Sequence, residues 1–99
     1  MKVVITFPAK ASLKDIHDYY KENASVRVAD KIKSGIIQKL NFLSQRPLSS
    51  QVEETLIDLN LGHRRLVEGN YKIIYRIIDE VIYVTDIFDS RRDPSRVNG

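Results

Sequence analysis

Between His63 and Asp89 the chain has little conformational choice. Arg64 to Glu68, Tyr71 to Ile78 and Val81 to Phe88 are runs of strand-forming residues, separated by Gly69-Asn70 and Asp79-Glu80. A two-residue break of this kind predicts a tight hairpin. Two in succession predict an antiparallel three-stranded meander. The turns also set the pairing: 67 with 72, 65 with 74 and 63 with 76 across the first, then 76 with 83 and 74 with 85 across the second. Paired residues share a face and successive residues alternate. One face is therefore expected to hold Leu66, Ile73, Tyr75, Ile77, Ile82, Val84 and Phe88. The other is expected to hold His63, Arg65, Lys72, Ile74, Arg76, Tyr83, Thr85, Ile87 and Asp89. A slip of one residue would bury Arg65, Lys72 and Arg76 unpaired, so the register is well determined.

Upstream, Val3 to Phe7 reads as a first strand ended by Pro8, and its continuous apolarity predicts burial on both faces. Ser12-Leu13-Lys14-Asp15 reads as a capping box opening a helix that ends near Asn23, with Leu13, Ile16 and Tyr20 along its apolar side. Ser25 caps a second helix whose stripe is Ala29, Ile32, Ile36, Leu40 and Leu43. Gly35 interrupts it at a cost of about 1 kcal/mol relative to Ala, which points to close packing against another element. Pro47 stops the helix. Residues 47–62 read as irregular and pinned by Leu56, Ile57, Leu59 and Leu61. The expected architecture is α+β: an N-terminal strand, a helical hairpin, then the meander, with one sheet face on the two helices. Residues 1–99 form a single domain, and the tail 93–99, with Pro94 and Gly99, is expected to be mobile.

Composition narrows the functional classes. There is no cysteine, which excludes disulfides and thiolate metal sites. His17 and His63 are far apart with no carboxylate at ligand spacing, so no metal site is read and no cofactor is implied. The N-terminal apolar run is too short to span a membrane and has no signal-peptide pattern, and the expected location is cytoplasmic. Net charge is +3 and uneven: residues 1–50 carry nine Lys or Arg against four Asp or Glu, and residues 51–99 carry seven against nine. A basic excess suits an acidic peptide or nucleic acid. The cations, Tyr83, Ile74 and Ile87 on the outward face are too apolar a mixture for a purely solvated surface and fit a binding groove.

The order of strand, two helices and meander resembles the RelE/ParE toxin superfamily. The stretch from Leu61 to Ile77 is similar to that family's arginine-rich strand, glycine turn and Tyr-Lys-Ile-Ile-Tyr-Arg strand. Asp86 to Pro94 resembles the close of ParE-like members, where the last strand runs into an Arg-Asp tail. The resemblance implies the toxin of a bacterial type II toxin–antitoxin system, neutralised in a hetero-oligomer by a cognate antitoxin. It also implies two alternative targets. RelE-like members cut ribosome-bound messenger RNA; ParE-like members inhibit DNA gyrase without cleaving nucleic acid.

For cleavage, the family's cation positions would fall on His63, Arg65, Lys72 and Arg92, where cations stabilise the transferring phosphate. The tail from Arg91 to Gly99 lacks the Tyr or His-Tyr pair that RelE-like nucleases often carry. The ParE-like reading is therefore favoured, with a contact surface of Arg65, Lys72, Ile74, Arg76, Tyr83, Ile87, Arg91 and Arg92. A toxin-like module that only binds its antitoxin is the third reading.

Overall fold

The computed structural model describes residues 1–46, 51–52 and 63–91. Strand β1 (Lys2–Ile5) leads into helix α1 (Phe7–Asn23), which turns at Ala24 into helix α2 (Val26–Gln45). A short strand β2 (Gln51–Val52) precedes β3 (Arg64–Glu68), β4 (Tyr71–Ile78) and β5 (Val81–Asp89). The five strands form one mixed sheet in the order β1-β5-β4-β3-β2. The meander is antiparallel and β1 pairs parallel with β5, Val3 opposite Ile82 and Ile5 opposite Val84. The expected α+β architecture stands, with β2 added from a segment read as irregular. Leu56, Ile57, Leu59, Leu61, Pro47 and the tail 93–99 lie outside the described residues.

Helix α1 begins six residues earlier than the capping-box reading, with Thr6 rather than Ser12 at its N-cap. Pro8 ends no strand; it sits in the first turn of the helix, where its missing N–H costs nothing and its fixed φ suits the helix. Thr6 is the N-cap residue, but its hydroxyl donates to the Val84 carbonyl at 2.6 Å and so ties the strand–helix junction to β5. Ser12, read as a cap, lies inside the helix and donates to Asp86 Oδ1 at 3.1 Å. Ser25 does cap α2, accepting from the Val28 N–H at 3.1 Å.

Both hairpin turns fall where expected. Gly69 takes φ +59° at the first turn, the sign a type II′ turn needs at that position. At the second, Asp79 and Glu80 take φ +50° and +63°. Positive φ at both central residues is the type I′ pattern that suits the twist of the strands.

The core lies between the helices and one sheet face. Leu13 and Ile16 from α1, Ile36, Leu40 and Leu43 from α2, and Ile73, Tyr75, Ile82, Val84 and Ile87 from the sheet form one buried cluster. A fully buried Ile or Leu contributes about 1.5–3 kcal/mol relative to exposure, so this layer is the main support of the fold. Strand β1 is a half-buried edge strand, contrary to the expectation of burial on both faces. Val3 and Ile5 flank the core, and among the described residues no strand lies beyond β1.

The largest departure from the expected register is in β5. Arg76 pairs with Tyr83 and Tyr75 with Val84, as expected, but Ile74 pairs with Asp86 instead of Thr85. A β-bulge at this point inserts one residue, and beyond it the side chains exchange faces. Ile87 pairs with Ile73 and is wholly buried in the helix-side cluster. Asp89 pairs with Tyr71 and faces α1, where it meets Tyr20. Phe88 pairs with Lys72 and lies outside that cluster. Thr85 Oγ1 donates to the Ile74 carbonyl at 3.3 Å across the irregularity.

Candidate functional site

The outer face of the meander keeps its cations together. Lys72, Ile74 and Arg76 alternate along β4, Arg65 pairs with Ile74, and Tyr83 pairs with Arg76. Alternation along one strand and direct cross-strand pairing put all five on one side. Arg65, Lys72, Arg76 and Tyr83 are half-buried. Ile74, expected to be exposed, is only 4% accessible, and Phe88 is only 1% accessible. The apolar contact surface proposed from Ile74 and Ile87 is therefore absent: Ile74 is buried, and the bulge turns Ile87 to the helices.

His63 immediately precedes β3 and is half-buried. Burial and the positive charge of Arg76 lower its pKa from the usual histidine value. Its Nδ1 is enclosed and has no hydrogen-bond partner. Burial and the nearby Arg76 thus both favour the neutral imidazole.

At the end of β5 the chain is clamped to α1. Tyr20 Oη donates to Asp89 Oδ2 at 3.2 Å. The Arg91 backbone N–H donates to Asp89 Oδ1 at 2.9 Å, and the guanidinium adds bonds to both carboxylate oxygens and to Tyr20 Oη. Asp89 is only 1% accessible. Burial pushes its carboxyl pKa up, but the bonds from Arg91 and Tyr20 outweigh it and hold it below the usual range. Burial, then the hydrogen bond with Tyr20, raises the Tyr71 phenol well above its usual value. Arg91, expected to grip a partner, also fixes the end of the sheet. Arg92 lies outside the described residues.

Beside this clamp, Tyr20 and Tyr71, Lys31, Ile32 and Gly35 of α2, the Glu68–Asn70 turn and Arg91 enclose a cavity of about 310 Å³. Sequence reasoning singled out Gly35 but not the space it opens. The heavy atoms nearest to a Cβ at residue 35 belong to the Glu68 side chain, the closest at 3.4 Å, an ordinary contact. No close approach of another element requires a glycine there, contrary to the packing expected.

Fold and outer face define the class as a small α+β protein with a helical hairpin and a mixed five-stranded sheet that carries a cationic outer face. A chain of the chromosomal ParDE TA system from P. aeruginosa shares that fold with a TM-score of 0.78, at 21% identity, over 90% of this chain and 95% of that one. A family model described as the ParE toxin of type II toxin-antitoxin system, parDE, matches residues 3–94. The chain belongs to the ParE toxin family. No curated protein matches it in sequence. Among the described residues, no helix is long and apolar enough to cross a membrane.

Proposed function

We propose that this protein is the poison of a type II pair, held inactive by a cognate antitoxin in the cytoplasm, and that it acts by binding DNA gyrase. The observation that carries the reading is the ParE family match, which spans both helices and the whole meander. The outer face supports it. Arg65, Lys72, Arg76 and Tyr83 sit on a rigid sheet, and half-buried cations held by a scaffold form charge-assisted hydrogen bonds at low ordering cost. Inhibition by contact needs only such a surface and no proton transfer. The sequence after β5 fits this, since residues 91–99 contain no Tyr or His.

One observation favours messenger-RNA cleavage. His63 is half-buried and neutral beside Arg76, and its imidazole would serve as the base while Lys72 and Arg65 hold a phosphate. A supercoiling assay with purified toxin separates the two readings. Inhibition at micromolar protein, relieved by the antitoxin, is expected. No inhibition, together with new cuts in ribosome-bound messenger RNA that vanish in Lys72→Ala, would establish the nuclease and overturn the gyrase reading.

A further inference from the structure

The cavity between α2 and the β3–β4 turn has a composition that names its occupant. Its base is apolar: the ring of Tyr71, 7% accessible, the ring of Tyr20 edge-on to it at 6.5 Å, and Ile32. Its rim carries two cations, Lys31 and Arg91. Lys31 makes no ion pair among the described residues, and the Arg91 guanidinium, though bonded to Asp89, is still 60% accessible. The one rim carboxylate, Glu68, faces Lys39 at 3.8 Å. Along α2 the imbalance continues, with Arg27, Lys31, Lys33 and Lys39 against Asp30 alone. The volume lies at the small end of binding pockets, which run from about 300 to 1,000 Å³. It suits one or two side chains of a peptide better than a whole small molecule.

The second observation is Gly35. In mid-helix a glycine is unfavourable, and here no steric contact demands one. Gly35 lines the cavity and a Cβ built there faces the Glu68 side chain, so a side chain longer than alanine would take up space on that wall. The missing side chain is what keeps the pocket open.

We propose that this cavity is the socket for a large apolar side chain, aromatic or branched, on an acidic segment of the antitoxin. It rests on the toxin–antitoxin reading above and adds the place and chemistry of the contact. The apolar group sits on Tyr71 and Ile32, and neighbouring carboxylates of the segment pair with Lys31 and Arg91. Buried anchors flanked by charge complementarity are how such interfaces concentrate affinity and specificity.

The test is calorimetric titration of the toxin with its full-length cognate antitoxin. Gly35→Ala leaves the socket open, and affinity within about threefold of wild type is expected. Gly35→Leu fills it, and a loss on the order of 30-fold or more is expected, with the fold checked by urea denaturation. Lys31→Glu changes only an exposed side chain and is expected to weaken binding about tenfold at low salt, with a smaller effect at high salt. A folded Gly35→Leu protein that binds like wild type would overturn the socket while leaving the toxin–antitoxin reading intact. If Gly35→Leu does not fold, Lys31→Glu decides, and unchanged affinity and salt dependence would overturn the proposal. A wild-type protein that does not bind the antitoxin at all would refute the broader reading and the socket's occupant with it.

Discussion

Replacing Ile87 with Ala tests the bulge directly, because the two possible registers of β5 give opposite results. With regular pairing, Ile87 would lie on the outer face, and truncating it would cost little. With the bulge it is wholly buried against Ile73. Removing three carbons at about 0.8 kcal/mol each forfeits about 2.4 kcal/mol of transfer free energy. The unfilled space adds to this, and measured Ile→Ala changes in cores run to about 2–5 kcal/mol. We expect about 3 kcal/mol, a large share of the roughly 5–15 kcal/mol that stabilises a typical domain. For a chain of 99 residues this lowers Tm by about 12–24 °C. The assay is urea denaturation followed by far-ultraviolet circular dichroism, with Ile78→Ala as the control. Ile78 is 40% accessible at the end of β4, and its truncation is expected to cost less than about 1 kcal/mol. An Ile87→Ala protein as stable as the control would place Ile87 outward and refute the bulge.

Glu80→Gly relieves a non-glycine residue held at φ +63°. The strain is about 1–2 kcal/mol and glycine's extra unfolded-state freedom offsets about 0.5–1 of it, so a net gain of up to about 1.5 kcal/mol in urea denaturation is expected; a loss would refute the strain. Asp89 has a lowered pKa in the fold, so it contributes stability above its unfolded value near 3.8, and this is lost as pH falls through the lower folded value. Asp89→Asn should cost about 1–3 kcal/mol at pH 7 and flatten the acid limb of the stability curve; an unchanged acid limb would mean that the clamp is not formed. His63 has a lowered pKa in the fold, so the unfolded chain takes up its proton first and stability should fall as pH drops below about 6.5, levelling off below the folded value. His63→Gln should abolish that slope, and a slope that survives belongs to another group. Ile74→Glu should unfold the protein, because residue 74 is buried, whereas Lys72→Glu should keep the wild-type unfolding curve and lose gyrase inhibition in the supercoiling assay.

Much of the fold could be read from local signals. Gly69-Asn70 and Asp79-Glu80 are strong because a two-residue turn leaves few backbone solutions, and both turns lie where they predict. The stripe from Ala29 to Leu43 and the Ser25 cap are likewise local, and both hold. The bulge is not local. Thr85 carries no glycine or proline to mark it, and the extra residue pays only through contacts with distant elements: Ser12 with Asp86, and Tyr20 with Asp89. That one omission put Ile87 and Asp89 on the wrong face. Pro8 was ambiguous for a simpler reason, since proline ends a strand and begins a helix equally well. The cations of the outer face were legible because alternation along β4 does not depend on the bulge. The socket was not, because it is built from α1, α2, a hairpin turn and Arg91, which are brought together only by the tertiary fold.

The pairing of β1 with β5 also governs when this protein can become itself. Lys2 must find Val81, so the opening strand has no strand partner until the chain has been made into β5, its last strand. Contacts this distant along the polypeptide slow folding. During synthesis Val3, Val4 and Ile5 lack their strand partner, and such incompletely paired apolar segments favour misassembly. Chains cut short before residue 81 would carry a first strand with no strand to pair with.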